Sequence, residues 1–162
     1  MKSAIIVFPG TNREIDMAKA IEASLCQSPI HIWHGETEIP KVDLIVIPGG
    51  FSYGDYLRAG CMAAHSPVIR EVKSQAERGV HVLGICNGFQ VLTEMGLLPG
   101  VLMRNASLKF ICKDVNLRVE HIDNPFFCNY KSKQILQIPI AHRDGNYFAD
   151  DAVLNELENQ DR

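Results

Sequence analysis

Three short apolar runs, each ended by a turn or by a glycine-flanked cysteine, constrain this chain more than any other feature. Ala4-Ile5-Ile6-Val7-Phe8 stops at Pro9-Gly10, Val42 to Ile47 stops at Pro48-Gly49-Gly50, and Val80 to Ile85 runs straight into Cys86-Asn87-Gly88. Apart from Asp43 and His81 these runs are apolar, which suits strands of a parallel sheet covered on both sides. Ile30 to Trp33 reads as another strand. The segments between have helical spacing. After Thr11 or Asn12, either of which can cap a helix, Ile15, Ala18, Ile21 and Leu25 share one face. Val68 to Arg78 reads as a helix ending at Gly79, and Gly88 to Met95 as one with Gly96 as its left-handed cap. The alternation predicts an α/β fold with a doubly wound, mostly parallel, flavodoxin-like sheet and right-handed crossovers.

Beyond Pro99 the pattern changes. Val115 to Ile122 and Gln134 to Ile140 read as strands with no clear helix between them, an antiparallel excursion. Asp150 to Glu158 reads as a last helix. A chain of 162 residues without repeats or linkers is expected to be a single domain over residues 1–162. With 22% charged residues and a net charge of −3, it lacks the basic excess of a nucleic-acid binder. No run reaches the roughly 18 apolar residues of a membrane span. The apolar stretch Ala4 to Pro9 is too short for a signal peptide, so a cytoplasmic location is expected. The five cysteines, Cys26, Cys61, Cys86, Cys112 and Cys128, form no Cys-x-x-Cys pair. Neither a zinc site nor a thioredoxin motif is indicated, and reduced thiols are expected.

Chemistry concentrates in Gly84-Ile85-Cys86-Asn87-Gly88-Phe89-Gln90. A strand meets a nucleophile and a helix starts at once, the nucleophile-elbow arrangement. So sharp a turn needs small residues two positions either side of the nucleophile, and Gly84 and Gly88 meet that need. Cys86 would lie at the positive end of the new helix, which favours a thiolate. The N–H of Asn87 points where an oxyanion would form. A buried structural cysteine is the alternative, and the flanking glycines weigh against it.

The loop Pro48-Gly49-Gly50-Phe51-Ser52-Tyr53-Gly54-Asp55-Tyr56-Leu57-Arg58-Ala59-Gly60 follows the third strand, at the carboxyl edge of the sheet where ligands bind. Its glycines let the backbone approach a ligand. Asp55 and Arg58 could pair with each other on the surface.

Further segments match in order: Phe8 to Asn12, Leu92 to Gly100, Arg104-Asn105-Ala106-Ser107-Leu108-Lys109-Phe110, and Ile138-Pro139-Ile140-Ala141-His142-Arg143-Asp144-Gly145-Asn146-Tyr147. Together with the elbow and the loop they resemble the class I glutamine amidotransferases over nearly the whole chain, and within them the glutaminase subunits of phosphoribosylformylglycinamidine synthase in purine biosynthesis. The elbow alone indicates only the class, and the Gly50-to-Gly60 loop is the more specific part. The resemblance implies hydrolysis of glutamine to glutamate and ammonia through a Cys86 thioester. It implies oxyanion N–H groups from Gly50 or Phe51 and from Asn87. It implies glutamine contacts from Gly49, Gln90, Asn105, Ser107 and His142. The implied partners are a large synthetase subunit, on which ATP and Mg are expected, and a small bridging subunit. No Walker-type loop supports ATP use by this chain, and no cofactor is expected in it.

The resemblance also implies a Pro-His-Pro-Glu motif near the C-terminus, which supplies the base and its orienting acid. The sequence up to Arg162 lacks it. A C-terminally incomplete domain with negligible activity of its own is therefore expected. His34-Gly35-Glu36, His121-Ile122-Asp123 and His142-Arg143-Asp144 place an acid two residues after a histidine, and His142 is the better stand-in. His31, His65 and His81 read as ordinary strand or helix residues. Two alternatives stay open: a non-catalytic assembly subunit, and a DJ-1-like cysteine-dependent α/β protein, against which Gln90 and the 53–60 loop weigh.

Overall fold

The computed structural model describes residues 1–160. They form two compact units, Met1–Val101 and the described residues from Leu102 onward.

In the first unit, β1 (Ser3–Val7), β2 (Ile30–Trp33), β3 (Leu44–Ile47) and β4 (His81–Gly84) make one sheet in the order β2-β1-β3-β4. Every neighbouring pair is parallel, with Ala4 opposite both Ile30 and Ile45, and Ile45 opposite Val82. α1 (Glu14–Leu25) follows β1, α2 (Val68–Glu77) precedes β4, and α3 (Asn87–Glu94) follows it. The two-residue period of a strand sorts the side chains. Ala4, Ile6, Ile45 and Ile47 pack with Val68, Val72, Val91 and Leu92 on one face. Ile5, Leu44 and Val46 pack with Ile21 of α1 on the other. Helices thus cover both faces, which is why the strand sequences carry no polar alternation. The sheet is doubly wound, as the sequence predicts.

The chain leaves β1 for β2 on one side and returns to β3 on the other. The carboxyl ends of β1 and β3 therefore flank the point where the winding reverses, the usual ligand position in such sheets. An antiparallel bridge between Thr11 and Gly50 links the two ends. This bridge corrects one expectation. α1 is preceded by Arg13 and has no side-chain cap. Thr11 is already committed, its Oγ1 accepting from the Phe8 N–H at 3.0 Å. Gly96 takes the left-handed conformation expected of it, at φ +78°.

The second unit consists of ribbons and one helix. β5 (Val101–Met103) pairs with β8 (Asn146–Phe148). β6 (Ile111–Arg118) runs antiparallel to β7 (Ile135–His142), with Ile111 opposite His142 and Arg118 opposite Ile135. α4 (Asp151–Asn159) is capped by Asp150, whose carboxylate accepts from the Val153 N–H at 2.9 Å. The antiparallel pair is as expected, but β6 begins at Ile111 rather than Val115. Among the described residues no helix is long and apolar enough to cross a membrane.

Candidate active site

The turn from β4 into α3 is as tight as its glycines imply. A Cβ at Gly88 would collide with the Ile47 carbonyl, and one at Gly84 would sit 2.6 Å from Leu92 Cδ1 and 2.7 Å from the Gly88 carbonyl carbon. Backbone bonds from Ile85 N to Ile47 O at 3.0 Å and from Gly88 N to Ile85 O at 2.8 Å hold the turn shut. Between them Cys86 is exposed and adopts φ +53°, ψ −111°. A non-glycine residue in so sparsely populated a region costs about 1–3 kcal/mol, and such strain gathers where function requires it. Cys86 is thus no buried structural cysteine.

Gly49 lies beside the nucleophile. A Cβ there would be 3.4 Å from Cys86 Cβ, so a side chain at this position would cover the thiol. The N–H groups expected for an oxyanion divide. Phe51 N–H already donates to the Gly10 carbonyl at 3.1 Å, which removes it from the set in this conformation. Gly50 keeps an N–H without a hydrogen-bond acceptor among the described residues. Asn87 is the first residue of α3, where the helix leaves the N–H without a partner of its own.

The side chain of Asn87 does more than the sequence indicated. It is buried, and its Oδ1 accepts from the Ser52 N–H at 3.1 Å. Its Nδ2 donates to Asp55 at 3.2 Å and to Gln90 Oε1 at 2.9 Å. One amide therefore ties the 51–55 loop to the first turn of α3. The loop needs holding, because Tyr53, Asp55 and Leu57 all have positive φ. At the other side Tyr53 OH meets His34 Nδ1 at 2.7 Å and Ser66 Oγ at 2.9 Å. His34 is therefore a partner of Tyr53, and the His34–Glu36 pair has no catalytic geometry. Arg58 does not pair with Asp55. It forms a two-pronged ion pair with Glu94, with Nη2 to Oε2 at 2.8 Å, and this hydrogen bond raises the guanidinium pKa further. These partners lie more than thirty residues apart in sequence, so no local pattern could reveal them.

No hydrogen bond reaches the Cys86 thiol from another described residue of its unit, and none of His31, His34, His65 and His81 partners it.

In the second unit Asn105 is the buried centre. Its N–H donates to the Arg143 carbonyl at 2.8 Å. Its Nδ2 donates to the carbonyls of Lys109 and His142, and its Oδ1 lies 3.0 Å from both His142 Nδ1 and the Gly145 N–H. Asp144, the acid expected beside His142, instead faces Arg104 at 3.7 Å and Arg143 at 4.0 Å. Ser107 turns to its own loop, its Oγ accepting from the Lys109 N–H at 3.3 Å. His121 and Asp123 are exposed. No group of three or more His, Cys, Asp or Glu side chains among the described residues could hold a metal.

The chain as a whole has counterparts among known proteins. A family model described as a CobB/CobQ-like glutamine amidotransferase domain matches residues 1–162. The PurQ subunit of phosphoribosylformylglycinamidine synthase from Rhodospirillum rubrum is 58% identical over 163 aligned positions, covering 100% of this chain and 71% of that protein. The Zymomonas mobilis subunit of the same name is also 58% identical, with 74% of its length covered. The structure of PurLQS from Thermotoga maritima superimposes with a TM-score of 0.83 at 43% identity, covering 93% of this chain and 70% of that one. The glutaminase domain of Trypanosoma brucei CTPS, at TM-score 0.59 and 15% identity, shares the fold. These matches displace the DJ-1-like alternative. The chain belongs to the glutamine amidotransferases, in the family of PurQ subunits of phosphoribosylformylglycinamidine synthase.

Proposed function

We propose that this chain hydrolyses glutamine through Cys86 and supplies the ammonia that converts phosphoribosylformylglycinamide to its amidine in purine synthesis. The observation that carries the reading is the strained, exposed Cys86 on a turn where neither flanking glycine tolerates a Cβ. The Cys86 sulfur attacks the carboxamide carbon of glutamine. The oxygen then takes negative charge, with the N–H groups of Asn87 and Gly50 as its donors; one such donor contributes roughly 10²–10³ in rate. The C–N bond breaks as the departing nitrogen takes up the proton the thiol gave up, and ammonia leaves. Water then cleaves the glutamyl thioester and frees glutamate and the thiol. Gly49 keeps the approach to sulfur open and Gln90 contacts glutamine.

The ammonia acceptor belongs to a large synthetase subunit that also carries ATP and Mg, joined by a small bridging subunit. The Thermotoga maritima PurLQS structure supports this assembly. The setting is the cytoplasm. The chain has no cofactor of its own. Among the described residues no histidine of the first unit partners the thiol, so the proton transfers at Cys86 need a base from outside residues 1–101.

The same absence favours a second reading, an assembly subunit that binds the synthetase without cleaving glutamine. Reconstitution with the synthetase and bridging subunits separates the two. The catalytic reading expects glutamine-dependent product that Cys86→Ala abolishes, with free ammonia still supporting synthesis. Binding without any Cys86-dependent product would establish the assembly reading instead.

A further inference from the structure

Asn87 stands where the two N–H groups assigned above to the oxyanion meet. One is its own. The other belongs to Gly50, and its direction depends on the peptide between Gly49 and Gly50. Two successive glycines leave that peptide the freest in the loop. Gly50 has φ +145°, and a Cβ there would lie 2.8 Å from the Asn12 nitrogen, so no larger residue can stiffen the position. What fixes the peptide must lie in the residues around it. Phe51 N–H donates to the Gly10 carbonyl at 3.1 Å and Tyr53 N–H to the Pro9 carbonyl at 2.6 Å, so two pins come from the turn after β1. The third comes from the elbow, where Asn87 Oδ1 accepts from the Ser52 N–H at 3.1 Å. A backbone N–H only donates, so the amide oxygen faces Ser52 and Nδ2 faces Asp55 and Gln90. Asn87 and Ser52 are 3% and 2% exposed, which leaves water little access to compete for this bond.

We propose that the side chain of Asn87 is a positioning group that sets the Gly50 N–H in register with the Cys86 turn, so that both oxyanion donors are in place before glutamine reacts. This rests on the reading that Cys86 attacks glutamine. The pins at Pro9 and Gly10 hold the loop to the end of β1, and only the Asn87 amide holds it to the residue next to the nucleophile. Donors fixed in advance favour the charged tetrahedral species over the uncharged substrate. The side chain therefore acts on the oxyanion and leaves the binding of intact glutamine largely alone.

The test compares two ligands of the full chain: glutamine, and its γ-aldehyde analogue, glutamate γ-semialdehyde. The Cys86 sulfur adds to the aldehyde carbon, the C=O π bond opens, and the oxygen takes the electron pair and then the thiol proton. That oxygen lies where the oxyanion of the reaction would form. Both affinities are read as protection of Cys86 from iodoacetamide, whose displacement of iodide forms no oxyanion and so reports on the thiol alone. Asn87→Ala should weaken the aldehyde about tenfold or more beyond any change for glutamine, with the unprotected alkylation rate unchanged. Asp55→Ala, which removes one anchor of the same amide from the loop side, should shift the ratio in the same direction by a smaller factor, and it carries the test if Asn87→Ala does not fold. If the variants weaken aldehyde and glutamine equally, or neither, the positioning role is wrong while the glutaminase reading stands. If neither ligand protects Cys86 in the wild-type chain, the positioning role and the glutaminase reading fall together.

Discussion

The sheet of the first unit and the β6–β7 ribbon of the second are both rich in isoleucine, leucine and valine, and they end in opposite states. Ile5, Ile6 and Ile45 are fully buried, whereas Ile135 is 58% exposed and Leu117 49% exposed. The cause is cover. The sheet has helices on both faces, whereas the ribbon has one face only half-buried, at Ile111, Val115, Leu136 and Ile140, and the other exposed. α4 contributes no buried residue. Apolar content therefore says little about stability here, and the number of covered faces says much.

The largest effect that could break this comparison is a cavity in the sheet. Ile45→Ala should cost about 2–5 kcal/mol, while Leu117→Ala should stay within roughly 0.5 kcal/mol. Urea unfolding of the two variants measures both, and equal losses would mean the ribbon has more cover than its exposure indicates. Next comes the clamp over the elbow. Asn87→Ala removes the acceptor for the Ser52 N–H and the donor to Asp55 and Gln90, and should cost about 1–3 kcal/mol. Limited proteolysis should then cut within residues 51–58 faster than in the wild-type protein. Unchanged cleavage would show that the Tyr53 contacts suffice.

Hydrogen exchange sharpens the comparison further. Amides of β1 and β3 should exchange only through global opening, and those of β6 and β7 through local opening at clearly lower free energy. Equal protection would make the two units one cooperative body. The smallest effect is electrostatic. Hydrogen bonds from Lys133 first and Arg118 second hold the Glu120 carboxyl below its usual value of about 4.5. The folded value is the lower one, so the stabilisation exists above about 4.5 and disappears as pH falls through the folded value. Because the carboxylate is exposed, salt screens the effect. Carboxyl titration by NMR should return Glu120 toward its ordinary value in Lys133→Ala.

The same difference in cover explains what the sequence could reveal. Strands β1 and β3 announce themselves because burial on both faces makes nearly every position apolar. The elbow is legible because steric necessity places glycines at 84 and 88. The bounds of β6 are misread by several residues because Lys113 interrupts the apolar alternation on its half-buried face, which Ile111 and Val115 mark. β5 and β8, three residues each, are too short to show a period. The hubs at Asn87 and Asn105, like the Arg58–Glu94 pair, depend on partners distant in sequence. A lone asparagine after a cysteine carries no local sign that its side chain holds a loop.

The central claim is that Cys86 is a glutamine-directed nucleophile, and its most direct test is competitive labelling. The chain would be reacted with a chloroketone analogue of glutamine and mapped by mass spectrometry, with and without excess glutamine. Cys26, Cys112 and Cys128 are exposed like Cys86 and serve as internal controls. The account predicts one adduct, on Cys86, formed more slowly when glutamine is present. Adducts spread over the exposed cysteines, at rates indifferent to glutamine, would contradict it.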